Sequence, residues 1–387
     1  MTSERLTVIV GGRVAGAPRQ GGAVWAVMQY VLGLERLGHR TLLLDEVAPD
    51  RITPAGAPLQ QSENAAYFEQ VVREFGLGGR AALLLSKSRE TVGLPYERVL
   101  EFAGSADVVV NESGTVTCED VMARVPRRVY LDVDPGFTQL WVEAEGIDMG
   151  FGMHDRFVTV GARIGRPECD VPSCGLAWIP TVPPVVLSEW PVARHIQHDA
   201  LTTVGNWRGY GSIEHDGVVY GGKAHSLRPL MGLPAMTGER FMTALAIHPD
   251  EHRDLAVLRS NGWCLIDPAA VAGTPSAYRR FIRGSKAEFG LAKSGYVHAR
   301  CGWFSDRSAA YLASGRPVIA QDTGFGGVLP TGRGLLAFST AADVVEGLGE
   351  LAQDYLGHAA AARQIAEEFL DSDRVLPALL ESVGGGP

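Results

Sequence analysis

The chain has 387 residues, of which 46% are hydrophobic and 20% charged, and a formal net charge of −9. That length points to two domains with sizeable cores, and an acidic balance without a basic block argues against a nucleic-acid-binding surface. No run approaches the ~18–20 apolar residues of a membrane span, and the N-terminal MTSERLTVIVGG leads directly into a strand-like run, so no signal peptide is expected. The five cysteines are scattered, and the one close pair, Cys169 and Cys174, has no second Cys/His pair at zinc spacing. They read as structural, with no metal expected, in a reducing cytoplasm.

Residues 6–10 are a short β-branched run ending in Gly11-Gly12, and a loop follows to Gly21-Gly22. Residues 23–37 carry Val24, Val27, Met28, Val31 and Leu34 at helical spacing, Gly38 ends the helix, and 39–45 is the next strand. This unit has a glycine-rich first loop but not the strict spacing of a dinucleotide fingerprint, which disfavours an NAD-dependent dehydrogenase. Helices over 64–75 and 96–103 alternate with strands over 81–85, 107–110, 127–133 and 157–160. One strand ends in Asn111-Glu112-Ser113-Gly114 and the next in Asp132-Val133-Asp134-Pro135-Gly136. Polar side chains at the carboxyl ends of strands are where α/β proteins keep their chemistry. The same carboxylates can equally cap a helix or shape a turn.

The proline-rich stretch 179–191, IPTVPPVVLSEWP, is the best domain boundary. Domains are therefore expected at 1–185 and 186–365, followed by a terminal segment, 366–387. The second half restarts with a strand at 201–204 and the loop Gly205-Asn206-Trp207-Arg208-Gly209-Tyr210, which repeats the logic of the first loop. Lys223, His225 and Arg228 form a cationic group in a glycine-flanked segment that can also be a solvated loop. Strands are expected at 242–247, 262–266 and 286–292. Helices are expected at 250–260 and 276–283, the second carrying Arg279, Arg280 and Arg283. Lys293 lies just past the strand that precedes it.

The stretch 302–322, GWFSDRSAAYLASGRPVIAQD, reads as loop, helix, turn and strand. Ser305 is the expected N-cap, accepting from the Ser308 amide, over a helix at 307–314. Gly315 stops it, and 318–320 is a buried strand. Free amides at that helix start make an anion site, and Arg307 can fork onto phosphate oxygens. Trp303 and Phe304 precede it and can wall a ligand or simply pack. Asp322 and Thr323 lie past the carboxyl end of the strand. A strand at 334–338, helices at 341–351 and 359–370, a segment at 375–383 and a glycine tail complete the chain. The alternation implies an α/β protein with doubly wound parallel sheets.

SGRPVIAQDTG, followed by GRGLLAF and STAADVVEGLGEL, resembles the C-terminal half of group 1 glycosyltransferases, most strongly over 285–355. The resemblance implies the GT-B fold: two Rossmann-like doubly wound parallel-sheet domains facing a cleft. The acceptor side is then N-terminal, the nucleotide-sugar side is C-terminal, and the last helix crosses back to the first domain. It implies sugar transfer from a nucleotide-diphosphate donor to a hydroxyl or amine acceptor, with no metal and no cofactor. The donor contacts it implies are Gly12 and Gly22 in the first loop and Asn206, Trp207 and Arg208 in the second. Lys293, Trp303 and Phe304 follow, then Ser305, Asp306, Arg307 and Ser308 at the helix start, and Asp322 and Thr323 beyond it. The family often places two glutamates eight positions apart before the Gly-Arg-Pro turn; aligned on Ser314-Gly315, those places hold Gly302 and Ala310. No ribose-binding role carries over, and Asp306 is a nearby substitute.

Asp132-Val133-Asp134 has the spelling of a diphosphate–metal motif but sits in the first half, so it reads as acceptor-side. Asp134 is the first choice for the general base and Glu112 the second. A sugar-nucleotide epimerase and a non-catalytic nucleotide-sugar-binding protein remain alternatives. No nucleic-acid partner and no membrane span are expected, and a homodimer stays open. The Gly- and Ala-rich, Lys-poor composition fits a high-GC actinobacterial source and a tailoring role in natural product biosynthesis.

Overall fold

The computed structural model describes residues 5–384. The first four residues of the MTSE start and the last three of the expected glycine tail lie outside the described residues. The first half contributes β1 (Thr7–Gly11), β2 (Arg40–Val47), β3 (Ala81–Leu85), β4 (Thr91–Gly93), β5 (Val108–Glu112), β6 (Arg128–Asp132), β7 (Arg156–Thr159) and β8 (Trp178–Pro180). They form one sheet in the order β4-β3-β2-β1-β5-β6-β7-β8. Every pair is parallel except β3 with β4. The central strands carry Val8, Ile9 and Val10 beside Val108, Val109 and Val110, all buried. Such continuous apolar runs suit strands covered by helices on both faces.

The second half contributes β9 (His198–Asn206), β10 (Ile213–His215), β11 (Val218–Tyr220), β12 (Phe241–Ala246), β13 (Cys264–Leu265), β14 (Ser285–Gly290), β15 (Val318–Gln321) and β16 (Leu335–Phe338). Six of them make a parallel sheet ordered β13-β12-β9-β14-β15-β16, while β10 and β11 form a separate hairpin. The strand order reverses between β1 and β5 in one sheet and between β9 and β14 in the other. Open α/β sheets bind ligands at such reversals, outside the carboxyl ends of the strands. The fold is thus the expected pair of doubly wound sheets.

Several elements depart from the sequence reading, among them the β10–β11 hairpin, a helix at Ser294–Ala299 and the following three. β4 is too short to show a period. β8 lies partly inside the proline-rich stretch, where Pro180 is tolerated because the strand is at the sheet edge. A helix, Phe137–Glu143, starts at the point where Pro135-Gly136 suggests only a turn. Gly136 enters it at φ +88, and its amide donates to the Gln139 side chain at 2.7 Å, an unusual start with no side-chain cap at its first position.

The two halves meet through backbone as well as side chains. Helix Gly21–Arg36 abuts helix Pro275–Gly284, where Trp25 Nε1 donates to the Pro275 carbonyl at 2.9 Å. Gly21 is required there: an added Cβ would lie 2.3 Å from the Thr274 carbonyl oxygen. Residues Gly161 and Trp303 form an isolated antiparallel bridge, and Arg163 N donates to the Cys301 carbonyl at 3.0 Å. The final helix, Ser372–Gly384, lies on helix Gly21–Arg36, with Gly33 leaving space for Leu376 and Arg36 paired to Asp373 at 3.1 Å.

Candidate active site

The carboxyl edges of the two sheets enclose one cleft of about 1180 Å³. The first half supplies Arg13, Gly22, Tyr30, Glu112 and Asp134; the second supplies Lys223, Tyr278, Lys293, Asp306 and Arg307.

Glu112 ends β5 beside β1. Its Oε2 is buried and has no hydrogen-bond partner. Gly12 makes this position available, because a Cβ there would lie 2.8 Å from that oxygen and 2.5 Å from Val27 Cγ2. Burial pushes the Glu112 carboxyl up to about 7; Arg13 draws it down, and the negative charge of Asp306 across the cleft pushes it higher. Tyr30 also lines the cleft, its hydroxyl held well above the usual range by burial and by the charges of Glu112 and Asp306. The loop after β1 is fastened from below: Val14 N and Ala15 N donate to Asp45 Oδ2 at 3.0 and 2.5 Å, and Asn64 Nδ2 donates to the Ala15 carbonyl at 2.7 Å.

Lys223 opens a short helix after the glycine pair Gly221-Gly222. It is buried, its ammonium would touch a Cβ at Gly205, and it lowers toward about 7 through burial and the positive charges of Arg307 and Lys293. Asp306, at the first position of helix Asp306–Ala313, is raised by burial and drawn back by Arg307 and Lys223. The site therefore sets a carboxylate of one half against two cations and a helix start of the other.

Several sequence-predicted residues occupy other places. Arg307 does not fork outward: its Nε donates to Glu288 Oε1 at 2.5 Å and its Nη1 to the Val204 carbonyl at 2.9 Å. Burial opposes its charge, yet Glu288 holds it above its ordinary value. Only its Nη2 is without a partner. Ser305 caps the helix as expected but accepts from Arg307 N, at 3.2 Å, rather than from Ser308. Ser308 is buried beneath that turn and does not line the cleft. Trp207 is in the core of the second half, its Nε1 donating to Asp254 at 3.2 Å. Asp322 accepts from Gly324 N at 2.8 Å and Thr323 Oγ1 donates to the Trp303 carbonyl at 2.5 Å, so both tie the loop rather than line the cleft. Gly12 is likewise spacing for Glu112.

The other predicted residues do line the cleft. Gly22 lets Tyr278 approach, with 3.0 Å to a hypothetical Cβ. Asn206 is exposed at its lip, and Arg208 pairs there with Glu251. Trp303 stacks on Tyr296 with centroids 4.3 Å apart, while Phe304 presents an edge to Phe325 and belongs mostly to the core. Asp134 and Lys293 pair directly, Nζ to both oxygens at 2.9 and 2.8 Å, and the Tyr210 and Tyr296 hydroxyls also donate to Asp134. Sequence reasoning alone misses Lys223, Tyr30, Tyr278 and Tyr296, which also line the cleft. Only Lys223 carried a signal, as a cation directly after a glycine pair.

No protein-family profile matches the sequence, and no curated protein matches it. Solved structures match over nearly the whole chain. An α-glucosyltransferase in complex with UDP-glucose and DNA containing an abasic site superposes with a TM-score of 0.61 at 11% identity, over 98% of this chain and 99% of that one. AviGT4, a glycosyltransferase involved in avilamycin A biosynthesis, gives 0.53 at 14% identity, over 98% and 97%. Anabaena Alr3699/HepE in complex with UDP and glucose gives 0.57 at 9% identity, over 98% and 100%. The chain thus has the two-domain GT-B fold of these glycosyltransferases. The expectation of no nucleic-acid partner gains no support from them, since the first is bound with DNA. Among the described residues no helix is long and apolar enough to cross a membrane.

Proposed function

We propose that the protein transfers a glycosyl group from a nucleotide-diphosphate sugar to a hydroxyl or amine acceptor. The observation that carries this reading is the cleft lined by Glu112 from one half and by Lys223 and the helix start at Asp306 from the other. The anomeric carbon–oxygen bond to the diphosphate breaks, and Lys223 and the first-turn amides, with the buried charge of Arg307 behind them, take up the charge on the leaving oxygen. The acceptor oxygen or nitrogen bonds to the anomeric carbon and its proton passes to Glu112, whose affinity near neutrality suits a general base. Glu112 thereby replaces Asp134 as the first candidate, because Asp134 is already held by Lys293 and two tyrosines.

Metal-independent transfer fits the same geometry. The oxygens of Asp132 accept from Thr138, Gln139 and Thr159 at 2.7, 2.9 and 2.8 Å, so the Asp-Val-Asp spelling does not present two carboxylates to one ligand. The facing acids Glu112 and Asp306 also suit an epimerase, which would convert donor with no acceptor present.

The test is a thermal-shift and calorimetric titration with UDP, GDP, ADP and dTDP on the native chain and on Lys223→Met, then donor turnover with an acceptor panel that includes DNA. The expected result is stabilisation by one diphosphate that Lys223→Met weakens about tenfold or more. No shift with any nucleotide, or one indifferent to Lys223, would sink the reading. Donor conversion without acceptor would select the epimerase.

A further inference from the structure

A second depression, of about 400 Å³, lies on the face of helix Pro275–Gly284 that points away from Tyr278. Its other wall is the linker at 193–197 that joins the two sheets. Arg279, Arg280 and Arg283 face it from the helix, and Arg194 and His195 from the linker. In a chain of net charge −9 this is a local concentration of cations rather than a generally basic surface. One acid offsets them: Glu189, paired to Arg279 at 2.7 Å. Glu74 stands at the rim, where it accepts from Ser276 Oγ at 2.6 Å. Among the described residues Arg194, Arg280 and Arg283 pair with no carboxylate.

Two features distinguish this cluster from solvated side chains. Arg283 Nε is buried and has no hydrogen-bond partner, and burial, with Arg279 and Arg316 nearby, pulls that guanidinium below its ordinary value. The Arg283 charge therefore lacks an offsetting carboxylate, and an anion in the depression would supply the missing opposite charge. The depression is also built before any ligand arrives. Arg316, itself buried, donates to the Arg283 carbonyl at 3.0 and 2.8 Å and to the His195 carbonyl at 2.5 Å, which fixes the linker against the helix end.

We propose that this depression is a phosphate-binding site, separate from the cleft, that takes inorganic phosphate or the terminal dianion of a phosphate monoester. Guanidinium forks match tetrahedral phosphate oxygens, and arginines from two walls can grip one dianion from both sides. Its size holds a phosphate group with a small substituent and is about a third of the cleft's, about 400 against 1180 Å³. The ligand would bridge the linker and a helix whose other face lines the cleft, and so would stiffen the joint between the halves.

The experiment is a calorimetric titration of the full chain with inorganic phosphate and, separately, methyl phosphate, at constant ionic strength set by sodium chloride. Arg194→Ala/Arg280→Ala is the test variant; both positions are exposed, so folding is not threatened. Lys223→Met is the control for binding in the cleft. The expected result is saturable 1:1 binding, weakened about tenfold or more in the double variant and unchanged in Lys223→Met. Binding of both probes would assign a monoester, and of inorganic phosphate alone the free ion; either upholds the site. Absence of saturable binding, indifference of the double variant, or loss in Lys223→Met instead would overturn it. The outcome is independent of whether any nucleotide binds the cleft.

Discussion

Lys293, just past β14, reaches across the cleft and donates to both oxygens of Asp134, just past β6, at 2.9 and 2.8 Å. Burial works against the Lys293 ammonium and the Asp134 carboxylate works for it, leaving it below its ordinary value. Three aromatic rings, Phe137, Tyr210 and Tyr296, surround the ammonium at 4.1 to 5.0 Å from their centroids. Both side chains are about one-fifth exposed, so the pair is largely screened from water. It forms a polar clasp between the two sheets at one end of the cleft.

Removing one partner of such a pair strands the other. Asp134→Asn and Lys293→Met should each destabilise the protein by about 3 kcal/mol. The double variant should lose clearly less than the sum of the singles, read as a coupling energy from urea unfolding. Small-angle scattering should show a larger radius of gyration in the singles if the clasp sets the closure of the cleft. Additive singles with unchanged scattering would mean that the clasp neither couples nor closes.

The fixing of Arg307 against Glu288 leads to a second expectation. These side chains are 7% and 0% exposed, and Glu288 Oε2 already has no partner. Arg307→Ala would therefore unfold more than it unbinds, with a loss of about 3–5 kcal/mol. Arg307→Met/Glu288→Leu should recover much of that stability in thermal melts while leaving nucleotide binding impaired. A fully stable Arg307→Ala would show that the buried pair contributes little.

The architecture was legible because buried parallel strands are continuous apolar runs and helices carry a 3.6 period. The glycine-rich loops, the Gly-Arg-Pro turn and the carboxylates at strand ends were legible as motifs for the same local reason. What sequence could not show is which charges find each other. Asp134 and Lys293 are 159 positions apart, and Arg307 meets Glu288 from the neighbouring strand. Trp207 stands in a loop of polar and small residues, yet its ring fills the core beneath Asp254. The phosphate-type spelling at 305–308 reads as free donors, whereas the fold commits most of Arg307 to Glu288 and the Val204 carbonyl.

Glu112 gives a pH dependence with a definite sign. Its folded pKa, about 7, lies above the ordinary 4.5, so the folded state holds the proton more tightly. That contribution to stability is fully present below about 4.5 and is lost as pH rises through 7. Glu112→Gln should match the native chain at pH 4 and exceed it in melting temperature at pH 8. If Glu112 is the base, the same variant should lose about 100-fold or more in turnover, and native turnover should climb with pH through 7. A Glu112→Gln enzyme with native turnover would return the role to another carboxylate.

Lys223 offers the complementary test, because its proton should be taken up when an anion binds. In the free chain burial and two neighbouring cations bring its ammonium down to about 7, so near neutrality a large fraction is uncharged. A diphosphate in the cleft favours the charged form and raises that value, which requires a proton from buffer. Calorimetric titration of the cognate diphosphate at pH 8, in buffers of different ionisation enthalpy, should show uptake of a substantial fraction of one proton. Affinity should fall as pH rises above 7, and Lys223→Met should abolish both the uptake and this part of the pH dependence. Glu112, if deprotonated in the free chain at pH 8, can take up a proton in the same direction, so the Lys223→Met titration is repeated on Glu112→Gln. Uptake that survives Lys223→Met but vanishes in Glu112→Gln would place the titrating group on the acceptor side and remove Lys223 from the diphosphate site.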